Sequence, residues 1–345
     1  MTSSVVTTAT EIVLPGKVEP TGLEVRTRDL PAPAAGQVVL RMDATGVSFA
    51  EQQMRRGKYY NQPAFPFVPG YDVVGTVTAA GPDVDATLVG RRFAAVTKIG
   101  GWASSLLIDA ADLVPVPDEV SAVDAETVVV NGITAWQMLH RMAKAPAGGT
   151  IVVLGANGGV GSTLVQLARH AGMTVIGTAS PRHHDLVREL GAIPVDYRDP
   201  AMYERIRELA PDGVDAVFDH VGGAGLVDSW RLLRRGGALV SYGTAATKNE
   251  EGSSQLPVLK SVGQLVLWNL LPNGKGAHFY NFWAGRRNLA AFRARLREDL
   301  TEVLRLLAEG VLTAQVAGQF PLADAAAALT LAESRTVAGK VVIVA

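Results

Sequence analysis

Cysteine is absent from all 345 residues. Its absence excludes disulfide staples, thiolate nucleophiles and every metal site built on sulfur. Neither sign of charge is in surplus: 32 basic side chains face 33 acidic ones. Bulk electrostatics therefore favour neither nucleic acid nor an anionic surface as partner. Long apolar runs are missing too, since none approaches the roughly 18 residues a membrane span needs. The opening MTSSVVTTATE has no positive charge ahead of an apolar run and does not read as a secretory signal. Nucleophile elbows, H-E-x-x-H and suggestively spaced carboxylate pairs are all lacking. The expectation is a cytoplasmic protein of two domains without an integral membrane segment.

What is present centres on one stretch, Thr150 to Gly172, TIVVLGANGGVGSTLVQLARHAG. Ile151 to Leu154 read as a strand buried on both faces. A glycine turn follows, and then a helical pattern in which Val160, Leu164, Leu167, Ala168 and Ala171 share a face, with Gly172 as the stop. Strand, glycine turn and helix are the setting in which G-x-G-x-x-G signals a dinucleotide. Here the pattern maps onto Ala156, Gly158 and Gly161, with an extra Gly159. A side chain at Gly158 would hold a diphosphate off the backbone amides, and one at Gly161 would hold the helix off its strand. Gly158, Gly159 and Val160 are thus placed at the positive end of a helix. Ala156 departs from the glycine usual at the first position. The competing reading is a βα turn with no ligand.

Up to Asp124 the chain reads as short strands and turns: Gln37–Val47, Tyr71–Gly81, Arg92–Val96 and Ser104–Ile108. One short helix, Ala50 to Arg56, follows Ser48 as N-cap. From Ala125 to Met142 the pattern is helical. Strands and helices then alternate: strands Ile151–Leu154, Thr174–Thr178, Asp215–Phe218, Ala238–Tyr242 and Gln264–Trp268, and helices Pro181–Leu190, Pro200–Leu209 and Leu226–Leu233, the last ending at Gly236. This alternation predicts an α/β fold with a doubly wound parallel sheet. The polar stretch Thr244 to Gln255 reads as a mobile loop. A long helix, Arg286 to Glu309, turns an apolar stripe inward, and strands around an Ala-rich helix complete Val311 to Ala345. The expected domains are 1–124 with 286–345, and 125–285.

At the end of a second nucleotide-binding strand, a carboxylate selects NAD by accepting hydrogen bonds from its ribose. Residues 173–184 contain no Asp or Glu. Ser180, Arg182 and His183 stand there instead, offering hydroxyl, guanidinium and imidazole donors. The prediction is NADPH over NADH, against the alternative that Arg182 and His183 are a solvated helix start. His220, after Asp219 at a strand end, reads as a structural histidine near the cofactor rather than a general base.

With these residues in place, the chain resembles the medium-chain dehydrogenase/reductase superfamily over essentially its whole length. It is similar to the zinc-free quinone oxidoreductase branch, and most similar to the vesicle amine transport protein group. The matching stretches are ATGVSFAEQQMRRGKYY, PFVPGYDVVGTV, VVNGITAWQML, GANGGVGSTLVQLARHAGMTVIGTAS, DHVGG, SYGT and GKVVIV. The resemblance implies a GroES-like β-rich catalytic domain beside a Rossmann domain, a homodimer, and NADPH-dependent reduction of quinones or of the C=C bond of α,β-unsaturated carbonyls. Zinc members of the superfamily carry cysteine near Gly46 and G-H-E where this chain has Gly70, Tyr71 and Asp72, so no metal is expected. Carried over position by position, Asn131 to Thr134 flank the nicotinamide and Gly158 to Val160 the diphosphate. Ser180, Arg182 and His183 meet the 2′-phosphate, Tyr197 lies near the adenosine, and Tyr242 and Gly243 border the nicotinamide ribose. Phe279, Tyr280 and Phe282, within His278 to Phe282, overhang the substrate. Ser48-Phe49-Ala50-Glu51 replaces the family's N-F-x-D, which changes the donor at Ser48. Tyr59 is expected to orient a substrate oxygen, or else to be pocket wall. Two other functions follow from the same resemblance. One is a low-turnover nucleotide-binding scaffold or membrane-associated adaptor, docking through Leu265 to Trp283. The other is a tailoring enoyl reductase for a natural product.

Overall fold

The computed structural model describes residues 7–243 and 255–345, with the side chains of 255–257 left aside. Residues 1–6 and the expected Thr244–Gln255 loop up to position 254 lie outside the described residues. The chain forms two compact units, one from the residues up to Ile133 together with Gly285–Ala345, the other Thr134–Ala284.

The first unit begins with β1 (Thr7–Val13) and β2 (Glu24–Leu30), an antiparallel pair. Neither is foreseen from the sequence: β2 is EVRTRDL, exposed along nearly its whole length, so it carries no apolar alternation to detect. Then come β3 (Gln37–Val47), α1 (Phe49–Arg55), β4 (Asp72–Ala80), β5 (Arg92–Val96), β6 (Ser105–Asp109) and β7 (Val114–Pro115). Ser48 caps α1 as expected, in a full capping box with Glu51. α2 (Ala122–Trp136) follows, and from Gln137 to Ala143 the backbone widens into a π-helix, where one continuous helix was expected.

In the second unit β8 (Thr150–Val153), α3 (Gly159–His170), β9 (Thr174–Ala179), α4 (His184–Glu189), β10 (Ile193–Asp196), α5 (Met202–Leu209), β11 (Val214–Asp219), α6 (Gly225–Leu232) and β12 (Leu233–Ser241) alternate. The parallel sheet runs β10-β9-β8-β11-β12-β13, doubly wound around β8, with β13 spanning Gly276–Phe279. Val152, Ile176, Val217 and Leu239 lie in its apolar core with no measurable exposure, each contributing roughly 1.5–3 kcal/mol by leaving water.

Three expectations in this unit are corrected. Gln264–Trp268 is not a strand but the end of α7 (Gln255–Asn269). A short apolar run fits either periodicity, and here Leu265 turns into the core while Trp268 stacks on Trp230 at 4.9 Å. β12 starts at Leu233 rather than Ala238, so Gly236, at φ +85°, kinks a strand instead of ending a helix. The expected helix Pro181–Leu190 is instead a single 3₁₀ turn, Pro181–His183, ahead of a six-residue α4, too short to supply a helix dipole.

The chain then returns to the first unit through α8 (Leu289–Ala308), β14 (Val316–Pro321), α9 (Ala325–Ser334) and β15 (Lys340–Val344). In α8, Phe292, Leu300, Val303 and Leu304 are buried, whereas Leu289 at its start is 43 % exposed. β15 pairs antiparallel with β3, giving a sheet ordered β14-β15-β3-β4-β5-β7 with β6 also on β3. Val342 and Ile343 of the last strand have no exposure. This β-rich unit is the GroES-like domain, and the fold as a whole is α/β.

Candidate active site

Parallel strands deliver their C-terminal ends to one edge of a sheet, where ligands bind in open α/β folds. In the second unit that edge carries the glycine turn, Ser180–His183, His220–Gly223, Tyr242–Gly243 and Phe279–Phe282. The glycine turn owes its shape to three residues. Gly155 sits at φ +72°, and a Cβ there would lie 2.5 Å from Cε1 of His220. Gly161 passes so close to the turn that its Cβ would fall 2.1 Å from the Gly155 carbonyl oxygen. Gly158 is the N-cap of α3, and the first helical bond runs from the Ser162 amide to the Gly158 carbonyl at 2.8 Å. The amides of Gly159, Val160 and Gly161 thus precede the ladder. Ala156 is fixed within the turn by its own contacts. Its amide donates to Thr178 O at 2.9 Å, and its methyl packs where a side chain on Gly177 would stand. The positive-φ glycine of the turn is Gly155, one residue earlier than the pattern suggested.

His220 accounts for part of this geometry. Its Nδ1 lies 3.0 Å from the Leu154 carbonyl, which lays the ring across the turn and toward Tyr242, centroids 5.9 Å apart. Asp219, fully buried, takes the Val221 and Gly222 amides on one oxygen and the Ser229 hydroxyl on the other. It shapes the loop that presents His220, a role not assigned from sequence. Burial, and then Asp219, raise the Tyr242 hydroxyl far above its ordinary pKa, so Tyr242 stays neutral. A Cβ at Gly243 would lie 2.5 Å from the His220 carbonyl oxygen.

After β9, Ser180 is buried and Arg182 exposed. His183 Nε2 is buried with no hydrogen-bond partner in the structure, and burial followed by the Arg182 charge lowers its pKa. Tyr197 is 53 % exposed, beyond the end of β10. The aromatic trio is less uniform than expected. Tyr280 is buried, its hydroxyl donating to Gln137 Oε1 at 3.0 Å, and Phe282 is buried too. Phe279, by contrast, packs against the sheet core. Gln137 gives no signal in the sequence because it lies in the π-helical turn, out of register with any helical stripe.

In the first unit, Ser48 and Tyr59 stand on opposite sides of α1 in the chain. Ser48 Oγ accepts the Ala50 amide at 3.1 Å and gives its proton to Glu51 Oε2. The hydroxyl is therefore occupied as a cap, and toward any ligand it offers an acceptor rather than the expected donor. Glu51 is buried, which raises its pKa, and Asp72 adds in the same sense. Its other oxygen takes the Tyr71 amide at 2.6 Å. The Tyr59 and Tyr71 hydroxyls are 2.9 Å apart. Asn131, nearly buried, donates its side-chain amide to Thr127 O at 2.9 Å, and Thr134 is similarly buried.

The chain matches two family models: the alcohol dehydrogenase GroES-like domain at residues 34–118 and the zinc-binding dehydrogenase at residues 190–343. It is 35 % identical to the rat (Rattus norvegicus) synaptic vesicle membrane protein VAT-1 homolog over 217 residues, 62 % of this chain and 54 % of that protein. It is 34 % identical to rat quinone oxidoreductase over 218 residues, 62 % of this chain and 66 % of that one. A mycobacterial protein solved in complex with NADPH superposes with TM-score 0.81 at 28 % identity, covering 98 % of this chain and 100 % of that chain. The chain spans about half the length of the VAT-1 homologue it matches.

The second model's description implies zinc, and the residues present do not fit it. The chain has no cysteine. A side chain at Gly46 would meet Lys340 Cε at 2.1 Å and Glu126 Oε1 at 2.3 Å, so the space is already filled by the lysine stem and a carboxyl and has no room for a ligating side chain. Among the described residues no group of three or more His, Cys, Asp or Glu is arranged to hold a metal.

Proposed function

Because this chain belongs to the medium-chain dehydrogenase/reductase superfamily, in its quinone oxidoreductase branch near the VAT-1 homologues, we propose that it is an NADPH-dependent reductase of quinones or of the C=C bond of α,β-unsaturated carbonyls, working without zinc. The carrying observation is the turn from Gly155 to Gly161, where three amides ahead of the α3 ladder meet a backbone that no side chain obstructs. Bound there, a nicotinamide coenzyme supplies the hydride. The neighbouring mycobacterial protein's NADPH supports that coenzyme class. Preference for the phosphorylated form rests on Arg182 and His183 and on the lack of a carboxylate between 173 and 184.

The chain's own residues then position and polarise. Asn131 and Thr134 flank the ring, Tyr242 and Gly243 border its ribose, and Tyr197 stands by the adenosine. His220 holds the turn from behind. The buried faces of Tyr280 and Phe282 set a wall, with the Tyr280 hydroxyl fixed by Gln137. Tyr59, supported through its hydroxyl by Tyr71, orients the substrate oxygen. Because positioning carries most of such a reaction, no further acid is required and water completes the proton transfer. Zinc independence is supported by the filled space at Gly46.

The test is to mix protein with NADPH or NADH and a panel of quinones and conjugated enones while following coenzyme absorbance. Turnover with NADPH supports the proposal, and turnover that survives chelation supports the metal-free part. No oxidation above background across the panel would sink it, and faster oxidation of NADH would remove the coenzyme half.

One observation favours a second reading, a membrane-associated adaptor with little turnover. No helix of the described residues is long and apolar enough to cross a membrane, but α7 and the turn after it expose Leu267 (64 %) and Leu270 (75 %). The docking surface is these leucines, since Leu265 and Trp268 turn inward. Tight NADPH binding without turnover, with liposome pelleting lost in L267S/L270S, would favour this reading. A tailoring enoyl reductase would instead turn over one large substrate that a generic panel lacks.

A further inference from the structure

Inside the first unit lies a group of charges that the proposed chemistry does not use. Lys340, the first residue of β15, is 3 % exposed. Its ammonium lies 2.6 Å from Asp72 Oδ2 on β4 and 2.8 Å from Glu126 Oε1 on α2, both carboxyls having no exposed surface. Asp72 Oδ2 also receives the Val130 amide at 3.2 Å. Asp72 Oδ1 and Glu126 Oε2 are buried with no hydrogen-bond partner. β3 contributes only Gly46, whose missing side chain leaves room for the lysine stem.

One ammonium against two ionised carboxylates would leave a net negative charge in a fully buried space. The effective penalty for such a charge is several kcal/mol. A single proton shared between the Asp72 and Glu126 carboxyls, which stand within hydrogen-bond reach of each other, removes that charge and supplies a hydrogen bond between them. We propose that Lys340 is an internal positioning cation: its ammonium, the carboxylate of Asp72 and a protonated carboxyl of Glu126 form a neutral buried cluster that fixes the segments bearing Ser48, Tyr71 and Asn131. Those segments meet there because Gly46 lies two residues before Ser48, Asp72 follows Tyr71, and Val130 precedes Asn131.

The directions of titration agree. Burial holds the Glu126 carboxyl well above the ordinary carboxylate range; Lys340 opposes this and Asp72 adds to it. Burial alone would weaken the Lys340 ammonium, but Asp72 and Glu126 outweigh it and the ammonium is held more firmly than usual. Glu51 on α1 is a further titratable group facing the cluster. Burial and Asp72 raise it, and hydrogen bonding from Ser48 and the weaker pull of Lys340 draw it back. Lys340 does in this fold what a bound dication would do elsewhere, joining strand, strand and helix through opposite charge.

The experiment is thermal unfolding of the full chain from about pH 5 to about pH 9 for wild type, E126Q, D72N, D72N/E126Q and D72N/E126Q/K340M. A carboxyl raised in the folded state gives its full stability below its unfolded pKa and loses it as pH rises toward the folded value. Wild type therefore declines with pH through Glu126 and Glu51, and E126Q through Glu51 alone. The gap between their melting temperatures should move in favour of E126Q by at least about 3 °C across the range. D72N lets Glu126 ionise as the replacement counter-ion, so each single variant is mild. The double variant strands the ammonium and loses far more than the sum of the two, and the triple variant, with the ammonium removed as well, regains the loss. If the double variant does not fold, a folded triple variant supports the proposal and an unfolded one overturns it. A pH-independent gap, additive losses, or a triple variant no better than the double would likewise overturn it. None of these measurements needs turnover, so they stand or fall apart from the reductase reading.

Discussion

The two units build their sites from opposite materials. In the second unit the proposed coenzyme cradle is made of backbone: Gly155, Gly158 and Gly161 matter for side chains they lack. In the first unit the residues near Ser48 and Tyr59 are held by buried ionisable side chains, Glu51, Asp72, Glu126 and Lys340. A backbone site is specified by local sequence, because a strand, a tight turn and a helix must be consecutive. A buried charge cluster is specified by topology, since its members come from positions as distant as 51 and 340. One tolerates almost no added atom; the other tolerates changes that preserve its charge count.

The sharpest way to break this comparison is to add atoms to the backbone site. Gly161→Val places a branched side chain where even a Cβ lies 2.1 Å from a fixed carbonyl oxygen and 3.0 Å from Ala156 Cα. Neither neighbour is a flexible side chain, so the helix start must move. NADPH affinity should fall by at least about a hundredfold, close to 2.7 kcal/mol by titration. Retained affinity would mean that the amides of α3 do not hold the diphosphate. The next effect is smaller and selective. Arg182→Ala removes one charge-assisted hydrogen bond from the 2′-phosphate, roughly 1.5–3 kcal/mol, so the preference for NADPH over NADH should drop about ten- to a hundredfold while NADH binding is unchanged. Equal weakening of both coenzymes would make Arg182 a structural residue.

The same contrast explains what is legible in the chain. Strands β3 and β5 match their sequence bounds because glycine or proline punctuates alternating residues. Gly161 is legible because its neighbours in sequence are its neighbours in space. The exposed β2 and the α7 segment that reads as a strand are not, because the first lacks periodicity and the second fits two. Ser48 reads correctly as a cap, but its hydroxyl is assigned to the ligand because nothing in sequence shows that the box with Glu51 closes. Lys340 sits in GKVVIV, where a lysine before a buried strand reads as a solvated end. Only the pairing of β15 with β3 carries it inward to Asp72 and Glu126. Glu126, in turn, looks like an ordinary polar position on an otherwise apolar helix.

Tyr59, in the first unit, gives the smallest effect. Its hydroxyl is tied to that of Tyr71 at 2.9 Å, and its ring packs 4.7 Å from Tyr60 and edge-on to Tyr71 at 6.3 Å. Tyr59→Phe keeps the ring contacts and removes only the hydroxyl. If that hydroxyl orients the substrate oxygen, a neutral hydrogen bond worth about 0.5–1.5 kcal/mol disappears from the transition state. The rate constant kcat should then fall roughly two- to tenfold with little change in KM. If Tyr59 is only wall, the ring does all the work, kcat is unchanged, and the lost hydroxyl pair registers as a small drop in melting temperature. Because Tyr71 follows the same loop into Asp72, a kcat effect in Y59F that is matched by Tyr71→Phe would join the hydroxyl pair to the charged cluster as one positioning unit. A Y71F enzyme with normal kcat would separate them, leaving Tyr59 to act through its own contact alone.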